Sequence, residues 1–110
     1  MLIVEVNDKK YEFNTNIGTV KRIEAALGKP FMKIGQNFEN LTFDEIETLL
    51  LCGLKDKDKK AELKEEINEN MGLERITNIV KDFFEALQYT GLTEKEIKEK
   101  KAEFQKNLMN

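Results

Sequence analysis

Residues 2–13, LIVEVNDKKYEF, form two alternating runs around a polar centre. Leu2, Val4 and Val6 fall on one face of an extended segment and Ile3 and Glu5 on the other, while Tyr11 and Phe13 flank Glu12 with the same period of two. Asn7, Asp8, Lys9 and Lys10 are expected to supply the turn. A lone hairpin is marginal in water, so its apolar face must lie on the rest of the chain. Everything after residue 13 carries helical spacing. The fold class expected is therefore α+β, an N-terminal β-hairpin packed on a mostly helical bundle of four to five helices.

Working outward, Asn14, Thr15 and Asn16 offer caps for a helix along Ile17, Val20, Ile23 and Leu27 that closes at Gly28. Pro30, the only proline, restarts the chain into Phe31, Ile34 and Phe38, a short helical turn or a packed loop. Thr42 and Glu45 make a capping box, with Leu41 and Ile46 as a hydrophobic staple. The helix they open has a broad apolar face of Phe43, Ile46, Leu49, Leu50 and Leu54, widened by Leu51 and Cys52, and is expected to be central. Lys55 to Lys60 reads as a solvated linker or a frayed start. Leu63, Ile67 and Met71 make a narrow stripe on a surface helix ending at Gly72, and Glu62, Glu65, Glu66 and Glu69 are expected to form its solvated face. From Leu73 onward, Ile76, Ile79, Val80, Phe83, Phe84 and Leu87 give a wide core face that stops at Gly91. A second capping box, Thr93 with Glu96, opens a last helix with few apolar residues, and Lys101 interrupts its stripe. Residues 1–92 are expected to form the hairpin plus helical core domain. Residues 93–110 are expected to be a charged C-terminal helix or tail, partly disordered unless it docks on a partner.

A chain of 110 residues fits one domain. Its 18 basic and 21 acidic residues are interspersed and give a formal charge of -3, so no basic patch favours nucleic acid or an anionic membrane. No apolar run approaches the ~20 residues of a membrane span, and Leu2 to Val4 is too short for a signal-peptide core. Asn40, Leu41 and Thr42 match a glycosylation acceptor, an accidental match in a chain expected to be cytoplasmic. Cys52 is the single cysteine, which excludes an internal disulfide, and its apolar neighbours mark it as a small core residue.

The chain has no histidine, which removes the commonest general base and most zinc or iron sites. Glu62, Glu65, Glu66 and Glu69 lack the Glu-x-x-His partners of a di-iron bundle. Asp56 and Asp58 imitate a calcium loop, but Ala61 and Ile67 stand where it needs glycine and glutamate. No enzyme, cofactor or metal is expected. A helix-turn-helix across Gly72 is an alternative, although Arg75 and Lys81 sit among Glu74, Asp82 and Glu85, which would meet phosphate repulsion. Phe31, Met32 and Phe38 in the loop-like stretch, and Ile97, Phe104 and Leu108 on the tail helix, have two readings. They fill core and satellite contacts, or they form an adaptable apolar surface that accepts a partner's helix.

The order of these elements resembles the small tail assembly chaperones of phages and prophages of low-GC Gram-positive bacteria. The likeness runs through the 2–13 hairpin, the Ile17 to Gly28 helix, Leu41-Thr42-Phe43-Asp44-Glu45 leading to Leu49-Leu50-Leu51-Cys52-Gly53-Leu54, the Ile76 to Leu87 helix and the charged last helix. It is a likeness of pattern, without a fingerprint motif. The resemblance implies a non-enzymatic chaperone that binds the long helical tape-measure protein and keeps it soluble in the cytoplasm of the bacterial host, absent from the mature virion. It further implies self-association as a homo-oligomer and a frameshift-extended form as a partner, for which the Lys100-Lys101 pair would offer a slippery adenine run. A structural tail or connector component is the other phage reading.

Overall fold

A computed structural model describes residues 1–36 and 38–109, with side chains other than those of residues 36, 38 and 103–109. Strands β1 (Leu2–Val6) and β2 (Lys9–Phe13) pair antiparallel, with Val6 opposite Lys9 and Leu2 opposite Phe13. The turn is shorter than the four residues expected. Only Asn7 and Asp8 leave the ladder, at φ 49° and 68°, the left-handed pair of a two-residue type I′ turn. Asn and Asp tolerate that region, so Lys9 and Lys10 belong to β2. Val4, Val6, Tyr11 and Phe13 are buried and Ile3 is exposed, as the period of two requires.

The hairpin leads into α1 (Ile17–Leu27), capped by Asn16, whose side chain accepts the Thr19 amide, and closed by Gly28 at φ 67°. Ile17, placed on the apolar face by spacing, is exposed; buried Thr19 stands in the core with Ile23. The short α2 (Phe31–Gln36) follows Pro30, buries Ile34, and is succeeded by a 3-10 turn at Phe38–Asn40. In α3 (Phe43–Gly53) both hydrogen bonds of the Thr42–Glu45 capping box are made, and Lys29 pairs with Glu45 at 2.8 Å. The Lys29 hydrogen bond, helped by the Thr42 amide, holds the Glu45 carboxyl below its ordinary pKa. A 3-10 turn at Lys57–Lys59 precedes α4 (Lys60–Asn70). Then come α5 (Leu73–Tyr89) and α6 (Glu94–Met109), the latter opened by the second capping box as Thr93 Oγ1 accepts the Glu96 amide at 3.1 Å. The α+β arrangement holds, with six α-helices among the described residues once the short α2 is included.

An aromatic junction lies where the hairpin packs on this bundle. Phe13 and Phe83 meet edge to face at 5.6 Å, and Gly53 closes the gap beside them. The chain leaving α3 covers the outer edge of β2: the Asn14 amide donates to the Gly53 carbonyl at 2.7 Å and the Lys55 amide to that of Glu12 at 2.9 Å. On the other edge, the Glu5 carbonyl of β1 accepts from Arg75 of α5. The core is completed by Leu49, Leu50 and Leu54 from α3 and its C-terminal cap and by Ile76, Ile79, Val80 and Leu87 from α5. Cys52 is half-buried and burial pushes its thiol up, away from the thiolate a reactive cysteine needs.

One expectation about α4 is overturned. Glu65 and Glu69 are solvated, but Glu66 is buried, because the hairpin turn lands on it. Its carboxylate accepts from Asn7 Nδ2 at 2.9 Å, Lys9 Nζ at 3.2 Å and Asn70 Nδ2 at 3.3 Å. Glu62 beside it accepts the Tyr11 hydroxyl at 3.0 Å, and burial followed by that carboxylate pushes the phenol well above its ordinary pKa. Leu63, next to these carboxylates, is also buried, so α4 is a clasp over the hairpin as well as a surface helix.

The hydrogen bond from Asn7, joined by Lys9 and Asn70, lowers the Glu66 pKa despite desolvation. A carboxyl with a lowered folded-state pKa stabilises the protein above its unfolded value, about 4.3, and loses that contribution as pH falls through the folded value. Glu66→Gln should therefore lower the urea midpoint at pH 7, and the gap to the parent should close toward pH 3. A gap unchanged with pH would mean that the charge of Glu66 does not hold the clasp.

Candidate functional site

Two helix starts converge on one side of the bundle. The capping box fixes Phe43 as the first residue of α3, and Gly72, in an extended conformation, makes Leu73 the first residue of α5. Both side chains are large, apolar and exposed, 60% for Phe43 and 68% for Leu73. They line an open groove of about 300 Å³ with Ile67 and Met71 from α4 and its C-terminal cap and with Ile76 of α5. Asp44, Glu47 and Asn68 supply its polar wall. Asn68 Nδ2 donates to Glu47 Oε2 at 2.8 Å and to the Lys64 carbonyl at 2.7 Å, and Lys64 Nζ lies 3.7 Å from Glu47. Glu47 is thus held in place, while the Asp44 carboxylate has no partner among the described residues.

A second hollow, of about 310 Å³, lies where α6 meets α5 and the hairpin. Leu2, Ala86, Tyr89 and Ile97 line it. Lys101, which interrupts the α6 stripe, closes it by pairing with Glu85 at 2.9 Å and standing 5.9 Å from the Tyr89 ring centre. The Glu85 hydrogen bond raises the Lys101 pKa above its ordinary value. The lysine is therefore an anchor for α6 rather than a break in its packing.

Of the six residues singled out from sequence, the three whose side chains are described, Phe31, Met32 and Ile97, do not line the first groove. Phe31 is half-buried, its ring 5.6 Å from that of Phe84, with its amide donating to Glu24 Oε2 at 2.8 Å. This is the core-filling reading. Met32, beside it, is exposed at 73%. Ile97 is half-buried in the second hollow, as satellite packing. The side chains of Phe38, Phe104 and Leu108 lie outside the described residues.

Spacing assigns Phe43 to the core face of α3, and Leu73 stands before Ile76 as Phe43 does before Ile46, three residues ahead of a packed isoleucine. Helical spacing gives the direction of a side chain around the axis, not its height along it. At the first residue of a helix that height can lie beyond the packed layer. The legible signal is a large apolar residue immediately after each cap.

Among the described residues no group of three or more aspartate, glutamate or cysteine side chains is placed to hold a metal ion. No helix among them is long and apolar enough to cross a membrane. No protein-family model, curated protein or solved structure matches this chain.

Proposed function

We propose that this chain is a non-enzymatic assembly chaperone of the phage-tail type, which covers the apolar stripe of the tape-measure protein and keeps it soluble until the tail tube forms around it. The observation that carries this reading is the groove whose walls are the exposed Phe43 and Leu73. A long amphipathic helix free in water exposes a stripe prone to association, and an apolar groove on a small domain is a complementary surface. The observed order, hairpin first and helices after, agrees with the architecture that the resemblance implies. The chaperone acts in the host cytoplasm, as a homo-oligomer along its target and beside its own frameshift-extended form, and leaves before the virion is complete.

The regulator reading has less support. Arg75 of α5 is engaged by the Glu5 carbonyl, and Lys81 is followed by Asp82.

Co-expression with the adjacent tape-measure protein should raise its soluble fraction and yield a complex. The double variant F43Q/L73Q should fold, because both side chains are exposed, and should bind the tape measure about tenfold more weakly, equivalent to about 1.4 kcal/mol. Each apolar side chain removed from a contact accounts for a fraction of the roughly 1.5–3 kcal/mol typical of full burial. A tape measure equally soluble without this chain, or a complex indifferent to the double variant, would overturn the reading.

A further inference from the structure

We infer that the helix this groove accepts carries lysine or arginine beside its apolar anchor residues. The inference rests on the docking reading above and concerns the sign of charge that the groove selects.

Both ionisable residues in the groove wall are acidic, Asp44 and Glu47. Their surroundings differ. Glu47 is bonded by Asn68 and lies near Lys64, so its charge is partly answered within the fold. The neighbouring Glu45 carboxylate accepts the Thr42 amide and pairs with Lys29. Asp44 is exposed, and its carboxylate has no partner among the described residues. The nearest basic residue in the α5 sequence, Arg75, is committed to the Glu5 carbonyl. An incoming helix therefore meets an apolar floor with, at its edge, an exposed carboxylate that no side chain among the described residues pairs. A cation placed next to the anchor meets that charge, whereas a carboxylate there is repelled. Such discrimination falls with ionic strength, since the screening length shrinks from about 10 Å at 0.1 M salt to about 3 Å at 1 M.

The test uses two synthetic amphipathic helical peptides that share the same apolar stripe, flanked by lysine in one and by glutamate in the other. Binding to the full chain is read by fluorescence anisotropy at low and high salt. The lysine peptide should bind at least about fivefold more tightly at low salt, with the ratio shrinking as salt rises. Asp44→Asn should reduce the ratio and Asp44→Lys should remove or reverse it. Because both peptides meet the same protein sample, their ratio is insensitive to any change in folded fraction.

If F43Q/L73Q weakens both peptides alike but the parent does not distinguish them, the groove stands and the charge rule is wrong. A preference that survives Asp44→Lys overturns it as well. If neither peptide binds, or F43Q/L73Q leaves binding unchanged, the docking reading itself falls and takes this one with it.

Discussion

Replacing Phe83 with alanine should lower the unfolding free energy by about 3–5 kcal/mol, the usual range for removing a buried aromatic side chain. The ring is fully buried, and it touches two segments far from it in sequence. Phe13 of the hairpin meets it edge to face at 5.6 Å with an interplanar angle of 68°, and Gly53 lies against its far edge. Alanine would leave a void that Gly53 has no side chain to fill, and Phe13 is tied by its place in the ladder. The cost should therefore sit toward the upper end of the range. Against a total of about 5–15 kcal/mol for a domain, that is a large fraction. Urea denaturation should show a lower midpoint with an unchanged slope. Phe84→Ala, at the half-buried neighbouring position, should cost less. A Phe83→Ala loss below about 1.5 kcal/mol would mean that the hairpin does not depend on this junction, since even moderate cavities exceed it.

The face of the hairpin was legible because a strand has only two sides, so burying Val4 places Val6 on the same face, while Ile3 turns outward. The turn was not, because four polar residues read alike by polarity, and only Asn7 and Asp8 are suited to positive φ. Helix starts were legible where a side chain itself terminates the backbone, as at Thr42 and Asn16. The buried carboxylate was invisible. Glu62, Glu65, Glu66 and Glu69 share one helix in any reading, and which of them is covered depends on where Asn7 of the turn and Lys9 of β2, 59 and 57 residues away from Glu66, come to rest. The groove was hidden for a related reason. Phe43 and Leu73 belong to the right faces but stand at the first residue of their helices, where the neighbouring layer ends. Phe31 and Ile97 stand out in the sequence as apolar residues in weakly patterned stretches. Their partners, Phe84 across the bundle and Leu2 across the second hollow, come from chain reversals that local spacing does not encode.

Gly53→Ala should destabilise the protein by about 2 kcal/mol, the middle of the usual cost of overpacking a core, although helix propensity alone favours the change. Alanine in a helix interior is better than glycine by about 1 kcal/mol, and the gain is smaller at position 53, the last residue of α3. Opposing it, a Cβ at Gly53 would lie 2.5 Å from Phe83 Cζ and 2.7 Å from Cε2, with Phe13 Cδ1 at 3.5 Å. Carbon atoms pack at about 3.5–4.0 Å, so the Phe83 ring must retreat by roughly 1 Å. That ring is buried and already packed against Phe13. The contact therefore outweighs the propensity. Gly35 is the internal control: it lies within α2 with nothing among the described residues inside 4 Å of its would-be Cβ, so Gly35→Ala should be neutral or slightly stabilising. Phe83→Leu removes the ring edge that causes the clash, so the double variant Gly53→Ala, Phe83→Leu should be more stable than the sum of the singles by about 1 kcal/mol, as residues in direct contact couple. A stabilising Gly53→Ala, or strict additivity in that cycle, would show that α3 and α5 do not approach as closely as the Gly53–Phe83 contact requires.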